Sequence, residues 1–538
     1  MTEPLPEGLV GALAGPAAYP SDASAGRGVA HVQTHISHVF LTAERVYKLR
    51  KAVAPGFLDF GTRAARNADC EREVRLNRRL APDVYLGVAP LERDGVGYRV
   101  GGIGDAPRAA AEHVVVMRRL PDGGDALSLL ARGTLGPAHV RAAAARIAAF
   151  HRAGGLGAPA PWTPAAWLAR IDHPMQDNLR GLARDAAALA PAAIEALGAA
   201  WAQALARSAA PLEARRAAGR AVDGHGDLHL AHLWFEAGPD APLFIDCIEF
   251  SDELRRGDAA ADVAFLAMDL AYRGHEALGE LFLSRYAEAA DDPGLYAVVD
   301  LYAAYRAAVR AKVAALAAAD REIEAAQREA AAASAARHLA LAKRLLKPRA
   351  PGRLVLVGGS VGTGKSSVAS ALAEATPAVV LASDRVRKAL AGLAPEAHAP
   401  AEPGAGLYAP AWSERTYRAL LERAEPALAS GRLVVLDATW SRRAQRDAAR
   451  ALARRLAAAA WFVRVDCAEA TACERVAGRA ARGTDPSDAG PERVGPSRRE
   501  FEPVTEWPRE TCLELATDAP DWRAAIPRLL ARISGSAA

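Results

Sequence analysis

The sequence predicts a chain of mixed architecture, α+β in its first part and α/β in its second, the second part built as a doubly wound parallel sheet. Three observations carry this. Beyond residue 353, short apolar runs alternate with helical stretches, and each run ends in polar residues, as parallel strands with ligands at their ends do. Before residue 347 the order is strands, one charged helix, more strands, then a long Ala-rich helical half. Between them Pro348-Arg349-Ala350-Pro351-Gly352 interrupts both patterns and reads as a linker. The expected domains are an irregular segment 1–30, a first domain 31–347, a linker 348–352 and a second domain 353–538.

Composition narrows the class. A chain of 538 residues is too long for one core, and 51% hydrophobic with 24% charged residues is the balance of a soluble globular protein. No apolar run approaches the roughly 18 residues of a membrane span. The start, MTEPLPEGLVGALAG, lacks the basic and apolar regions of a secretory signal. A net charge of +4 with no basic stripe argues against a dedicated nucleic-acid binder. Cys70, Cys247, Cys467, Cys473 and Cys512 are scattered and form no C-x-x-C pair, which implies a reducing, cytoplasmic setting and no structural zinc.

In the first half, His35–Leu41 and Arg45–Arg50 alternate like strands, 63–80 reads as a charged amphipathic helix, and 84–88, 97–100 and 113–118 read as extended. Residues 136–152 and most of 162–218 read as helical, the latter broken at Pro174 and Pro191. Then DGHGDLHLAHLWF (223–235) and LFIDCIEF (243–250) form a hairpin whose ends carry His225, Asp227, His229, Asp246 and Glu249. Such a set suits phosphoryl transfer. Asp227 can take a proton from a hydroxyl, Asp246 can hold Mg²⁺ against phosphates, Lys48 on an earlier strand can hold the phosphates, and Glu73 on the helix can fix Lys48. Arg50 and Lys51 compete with Lys48 for that role, and Glu71 shares a charged helix with Glu73.

On His225-Gly226-Asp227-Leu228-His229, Ile245-Asp246 with Glu249, and Asp262, residues 30–345 resemble the aminoglycoside phosphotransferase family, with its bilobal protein-kinase-like fold. The resemblance implies Asp227 as catalytic base, Asp246 as metal ligand, His225 and Asp262 as supports of the catalytic loop, and the stretch after Met117 as the hinge that meets adenine. It also implies a second metal ligand, an asparagine in the family, at the position held here by His232. A neutral imidazole matches Mg²⁺ poorly. No Gly-rich loop precedes Lys48; Thr34–Ser37 occupies that place.

The second half opens on an apolar run, Leu354–Val357, that enters Gly359-Ser360-Val361-Gly362-Thr363-Gly364-Lys365-Ser366-Ser367, a full match to the phosphate loop G-x-x-x-x-G-K-[ST]. Glycines let successive N–H groups turn toward phosphate oxygens, the following helix adds its positive end, Lys365 reaches the β- and γ-phosphates, and the Ser366 hydroxyl ligates Mg²⁺. Further strands are expected at 378–382, 433–436, 460–465 and 513–516, with helices at 413–429, 442–458 and 469–480. Asp437 ends a strand as a metal or water ligand would. Asp384 ends another, and with Arg387 it can deprotonate and orient an acceptor hydroxyl. Arg475, Arg479 and Arg482 lead into a Gly/Asp/Pro-rich stretch that reads as a lid. On GGSVGTGKSS, SDRVR and VVLDATW, residues 352–520 resemble P-loop kinases of the zeta-toxin and polynucleotide-kinase type, often grouped with AAA ATPases. That resemblance implies Asp384 as general base. The pairing of the two halves resembles a class of bacterial two-domain proteins.

The expectation is therefore an ATP- and Mg²⁺-dependent phosphotransferase with two nucleotide-binding modules acting on a small-molecule hydroxyl, without a membrane or nucleic-acid partner. Two alternatives stand beside it: one live P-loop kinase with a weak kinase-like sensor, and an ATP-hydrolysing regulatory protein.

Overall fold

The computed structural model describes residues 3–54, 58–95, 97–104, 112–185, 189–393, 406–482 and 489–535. The chain packs as two compact units, Met1–Pro161 with Ala218–Leu266, and Trp162–Ala217 with Ala267–Ala538.

The first unit is built on a six-stranded sheet of β1 (Ala30–Gln33), β2 (Ser37–Leu41), β3 (Arg45–Arg50), β4 (Tyr85–Asp94), β5 (Gly97–Val100) and β6 (His113–Arg118), in the order β1-β2-β3-β6-β4-β5, every pair antiparallel. The two-residue period of β3 decides what each face does. Tyr47 and Leu49 face one side, where they pack with Phe40, Leu91 and Val114. Lys48 and Arg50 face the other, toward the helix Arg63–Asn77, whose Cys70 and Val74 pack on Val88 and Val115.

Of the segment 1–30, expected to be irregular or loosely docked, residues 3–30 are largely docked. A short helix, Leu9–Leu13, and the following turns bury Leu9, Leu13, Ala18 and Tyr19 on the Tyr47 face. That face is apolar and would otherwise be open to water, so a few large side chains among Pro, Gly and Ala suffice to dock the segment. Asp22 fastens it, accepting hydrogen bonds from Ser24, from Thr42 at 2.8 Å and from Tyr47 at 3.1 Å.

Beyond the helix Pro137–Ala153, the same unit holds two small antiparallel pairs: β7 (Ala221–Asp223) with β10 (Arg256–Asp258), and β8 (Leu233–Phe235) with β9 (Pro242–Phe244). The expected hairpin over 223–250 is thus confined to β8 and β9. Residues 224–230 and 245–250 form loops around it, which frees their side chains for the site.

In the second unit β11 (Arg353–Gly358), β12 (Val379–Ala382), β13 (Leu433–Asp437), β14 (Ala459–Asp466) and β15 (Cys512–Ala516) form a wholly parallel sheet in the order β12-β13-β11-β14-β15. The helices Pro164–Asp185, Pro191–Ala217, Glu276–Ala289, Val299–Ala319 and Ala325–Leu346 belong to this unit too. Its packing therefore ignores the linker at 348–352, for a physical reason. Arg432, at the mouth of β13, is buried between Glu280 at 2.9 Å and Asp300 at 2.8 Å, and Ser284 Oγ bonds the backbone of Val380 on edge strand β12.

Pro174, expected to break a helix, lies inside Pro164–Asp185. An interior proline costs a helix about 3 kcal/mol. A buried stripe of Trp167, Ile171, Met175 and Leu182 offsets this, and the chain breaks before Pro191, which starts the next helix. Among the described residues, no helix is long and apolar enough to cross a membrane.

Candidate functional site

The first unit gathers the predicted kinase-type residues in one place. Lys48 Nζ lies 3.0 Å from Glu73 Oε1 and 3.0 Å from Asp246 Oδ1. Glu73 is fully buried while Glu71 is exposed, which settles which carboxylate serves the lysine. Arg50 is not a rival of Lys48. It lies behind the same glutamate, contacting Glu73, Glu249 and Asp69 at 2.5, 2.5 and 2.7 Å, fully buried. Burial alone would lower the Lys48 pKa, but Asp246 and then Glu73 outweigh it and raise it. Lys48 in turn holds Asp246 well below the usual carboxylate range. Burial pushes Glu249 up to about 8, since one guanidinium serves three carboxyl groups.

Asp246 sits in the left-handed region, φ 59°, which an aspartate tolerates better than most residues. Its N–H donates to the Tyr85 hydroxyl at 3.0 Å, and the next N–H, of Cys247, donates to Asn77 Oδ1 at 2.8 Å. Asp262 accepts from the N–H groups of His225 at 2.7 Å and Gly226 at 2.9 Å, and from His151 at 3.0 Å. Burial would raise its pKa; the histidines reverse that and hold it ionised. His225 donates from Nε2 to the Ile245 carbonyl at 3.0 Å, accepts the Asp227 N–H on Nδ1, and is pushed down to about 4 by burial. So His225 and Asp262 tie the Asp227 loop to the Asp246 loop. Asp227 Oδ2 faces His229 and His232, each at 3.5 Å, and His232 Nε2 lies 3.5 Å from Asp246 Oδ2. Where a Gly-rich loop is missing, Thr34 closes the β1–β2 turn by accepting the Ser37 N–H at 3.0 Å.

In the second unit the phosphate loop follows β11. Gly359 has φ 155°, and a Cβ there would meet the Val465 carbonyl oxygen at 2.2 Å, so only glycine passes β14 at this point. Thr363 Oγ1 and Lys365 Nζ both donate to the Ser360 carbonyl at 2.9 Å, and the Val361 N–H donates to Ser497 Oγ at 3.1 Å. Burial lowers the Lys365 pKa, opposed by Asp437 and Asp384 and reinforced by Arg479. Gly362, Gly364, Ser366, Ser367, Asp384, Arg387, Asp437 and Arg479 all line one cavity of about 2040 Å³ with Lys365.

Arg387 Nη1 lies 2.5 Å from Asp384 Oδ1, its guanidinium stacks on Tyr408, and its Nε makes no hydrogen bond among the described residues. Arg475 differs from the lid residue that was expected. It donates to the Thr517 hydroxyl and carbonyl at 2.8 Å each, and Thr517 donates to the Thr363 carbonyl at 2.7 Å, so this arginine braces the loop from β15. The Arg482 side chain and residues 483–488 lie outside the described residues, as do residues 394–405.

Sequence reasoning missed several contributors. Asn77 stands one helical turn after Glu73, a spacing that could have flagged it. Tyr85, His151, Tyr417, Thr517 and Arg285, the last lining the cavity from the helix Glu276–Ala289, are brought in by tertiary packing and left no local signal.

Mg²⁺ fits the two sites unequally. Ser366 and Asp437 offer hard oxygen donors beside the phosphate loop. Around Asp246 a nitrogen of His232 lies 3.5 Å from the carboxylate, and Mg²⁺ suits a nitrogen donor poorly.

The chain thus carries two clusters of charged residues, one around Lys48, Asp227 and Asp246 and one at the phosphate loop with Asp384 and Asp437. A family model described as an AAA domain matches residues 354–504. The uncharacterized proteins Rv2004c and MT2060 of Mycobacterium tuberculosis and Mb2027c of Mycobacterium bovis are each 34% identical over 467 residues, 84% of this chain and 86% of theirs. The chain belongs to the family of these mycobacterial proteins. Among solved structures it is similar to a choline/ethanolamine kinase family protein from Mesorhizobium loti (17% identity, 62% of this chain and 98% of that one, TM-score 0.35). It is also similar to a gluconokinase from Sinorhizobium meliloti 1021 (21% identity, 35% and 94%, TM-score 0.25) and to the aminoglycoside phosphotransferase APH(3'')-Id from Streptomyces rimosus (18% identity, 53% and 94%, TM-score 0.29).

Proposed function

We propose that the chain is an ATP-dependent phosphotransferase that moves a γ-phosphoryl group to a hydroxyl of a small molecule, with the P-loop module as its principal catalyst. The observation that carries this reading is the Asp384–Arg387 pair, which shares one cavity with Lys365 and Asp437. A pure motor has no need of an aspartate held at the γ-phosphate end of the loop by its own arginine.

On this reading the acceptor hydroxyl gives its proton to Asp384 as its oxygen attacks the γ-phosphorus, and ADP leaves. Lys365, Arg479 and the loop N–H groups neutralise the charge that spreads over the transferring oxygens. Arg387 keeps Asp384 oriented. Ser366 and Asp437 would hold Mg²⁺ here, and the ion would supply positive charge against the phosphates. A cavity of about 2040 Å³ has room for a triphosphate and an acceptor together, which supports this reading.

The first module runs on the same logic with different parts: Lys48, fixed by Glu73, for the phosphates, and Asp227 for the acceptor proton. A second reading, in which this module binds nucleotide but transfers poorly, is favoured by the nitrogen donor of His232 beside Asp246.

The test is mass-spectrometric screening of a small-molecule cell extract with protein and ATP, run in parallel with Lys365→Ala, Asp384→Asn and Asp227→Ala. A new phosphorylated species lost in the first two variants supports the reading. ATP hydrolysis undiminished in Asp384→Asn, with no phosphorylated product, overturns it in favour of a regulatory ATPase. Loss of a separate product in Asp227→Ala makes the first module a second kinase.

A further inference from the structure

The hydrogen bonds around Asp227 and Asp246 assign the ring hydrogens of two histidines. His232 Nδ1 lies 3.0 Å from the Asp227 backbone carbonyl oxygen. A carbonyl only accepts, so Nδ1 carries the hydrogen. His232 Nε2 then turns its lone pair toward Asp246 Oδ2, 3.5 Å away. The other Asp246 oxygen is already committed to Lys48 at 3.0 Å. Two electron-pair donors that face each other repel unless a proton or a metal ion lies between them. Neighbouring ligands on an ion with bonds of about 2.1 Å stand roughly 3.0–3.5 Å apart, and this pair has that spacing.

His229 is arranged the other way. Its Nδ1 accepts the Ala231 N–H at 3.3 Å, so its Nε2 carries the hydrogen and aims it at Asp227 Oδ2, 3.5 Å away. Asp227, His229 and His232 lie within 4.8 Å of one another, yet the hydrogens on His229 Nε2 and His232 Nδ1 point those nitrogens at Asp227 as donors. The cation position left by this pattern is between His232 and Asp246.

We propose that His232 Nε2 and Asp246 Oδ2 bind a first-row divalent transition cation, of the Mn²⁺, Co²⁺ or Zn²⁺ class, in preference to Mg²⁺. A mixed imidazole and carboxylate pair suits the borderline ions Co²⁺ and Zn²⁺, and the harder Mn²⁺ accepts it, whereas Mg²⁺ is held by oxygen. The two modules then differ in their metal: oxygen-ligated at Ser366 and Asp437, nitrogen-ligated at His232. The inference deepens the phosphotransferase reading of the Asp246 site and rests on that reading for the ion's purpose, but it is tested without turnover.

The full chain is titrated with Mn²⁺ alone and with Mn²⁺ plus a non-hydrolysable ATP analogue, and the bound ion is examined by electron spin-echo spectroscopy. Modulation from a directly bonded imidazole nitrogen is expected in the wild type and in Lys365→Ala. It should vanish in His232→Asn, with Mn²⁺ affinity at that site falling by about tenfold or more, and persist in His229→Asn. Circular dichroism melting confirms that the variants fold. Bound Mn²⁺ without nitrogen modulation, modulation that survives His232→Asn or disappears in His229→Asn, or displacement of Mn²⁺ by equimolar Mg²⁺ at this site each overturns the proposal. A simple protonated His232–Asp246 ion pair would give the first of these results. If no phosphorylated product is ever found, the nitrogen signal still stands; if the signal is absent, the product assay is unaffected.

Discussion

The two candidate sites solve the same problem with opposite materials. In the first, side-chain charges do the holding. Lys48 and Arg50 are surrounded by Asp69, Glu73, Asp246 and Glu249, most of them buried, and each ion is tolerable only because its partners are present. In the second, the backbone does most of the holding, with Gly359 passing close to β14, and Lys365 is its half-buried cation. The first design carries more desolvation cost and depends on remote partners. The second is nearly self-contained within one turn. Both store a little strain at a strand-end loop: Asp246 at φ 59° in the first and Trp440 at φ 53° in the second.

The sharpest way to break this comparison is to remove the cation of each site. Lys365→Ala is expected to lower product formation at the P-loop module by about 10³-fold, since it deletes a preorganised donor from the developing charge. Folding should hold, because the cradle is backbone. A coupled assay of ADP release, with product detection, checks both statements. A loss of stability comparable to that from a core mutation would show that this site, too, depends on its ions.

The same contrast explains which parts of the molecule are legible in the sequence. The phosphate loop is contiguous: Lys365 meets Ser360 five residues away. The parallel sheet followed from apolar runs with polar ends, and its five strands fall within a residue or so of expectation. The first site is assembled from positions 25 and 198 residues apart, Lys48 with Glu73 and with Asp246. Its main residues were found through motif spacing. Arg50's role and the supporting Tyr85 and Asn77 were not, because nothing local marks a side chain that acts across the fold. The docking of residues 3–30 and the joint packing of Arg432 with Glu280 and Asp300 were hidden for the same reason. Pro174 misled because propensity is a local quantity and the buried stripe that overrides it is not.

The next largest effect is expected at Arg50. Arg50→Met leaves Asp69, Glu73 and Glu249 without their shared cation and should destabilise the first unit by about 3–5 kcal/mol. Glu249→Gln, by contrast, removes one carboxyl from an oversupplied cation and should cost under about 1 kcal/mol. Urea unfolding followed by a probe in the first unit distinguishes the two. Equal costs would mean that Glu249 is a required ion rather than a held proton.

Acid should also find the first site before the second. His225 titrates at about 4 when folded, against an ordinary value of 6.5, because burial disfavours its charged form. The unfolded chain therefore binds the proton more readily between these values, so stability is unimpaired above pH 6.5 and falls as pH drops toward 4. The full loss is about 3 kcal/mol at its upper bound. Melting temperature measured across this range for wild type and His225→Gln tests it. The variant is expected to be less stable throughout, but its slope in this window should be shallower by the His225 share; an unchanged slope assigns the acid lability elsewhere.

The smallest effect probes how far the second site relies on side chains. Tyr417 accepts the buried Trp440 N–H at 3.1 Å and shares a hydrogen bond of 2.8 Å with Thr439, just beyond Asp437. Tyr417→Phe keeps the ring and its edge contact with Trp440 but leaves that N–H without an acceptor. A buried unpaired donor costs about 1–3 kcal/mol, and the lower end is expected here because the Thr439 hydroxyl, released from tyrosine, can turn toward the vacancy. If the P-loop site is held by its backbone, the melting temperature should drop modestly while nucleotide affinity stays within about twofold. A larger fall in affinity would mean that the Thr439 loop, and with it Asp437, is positioned by this one tyrosine, and that the second site is less self-contained than its motif implies.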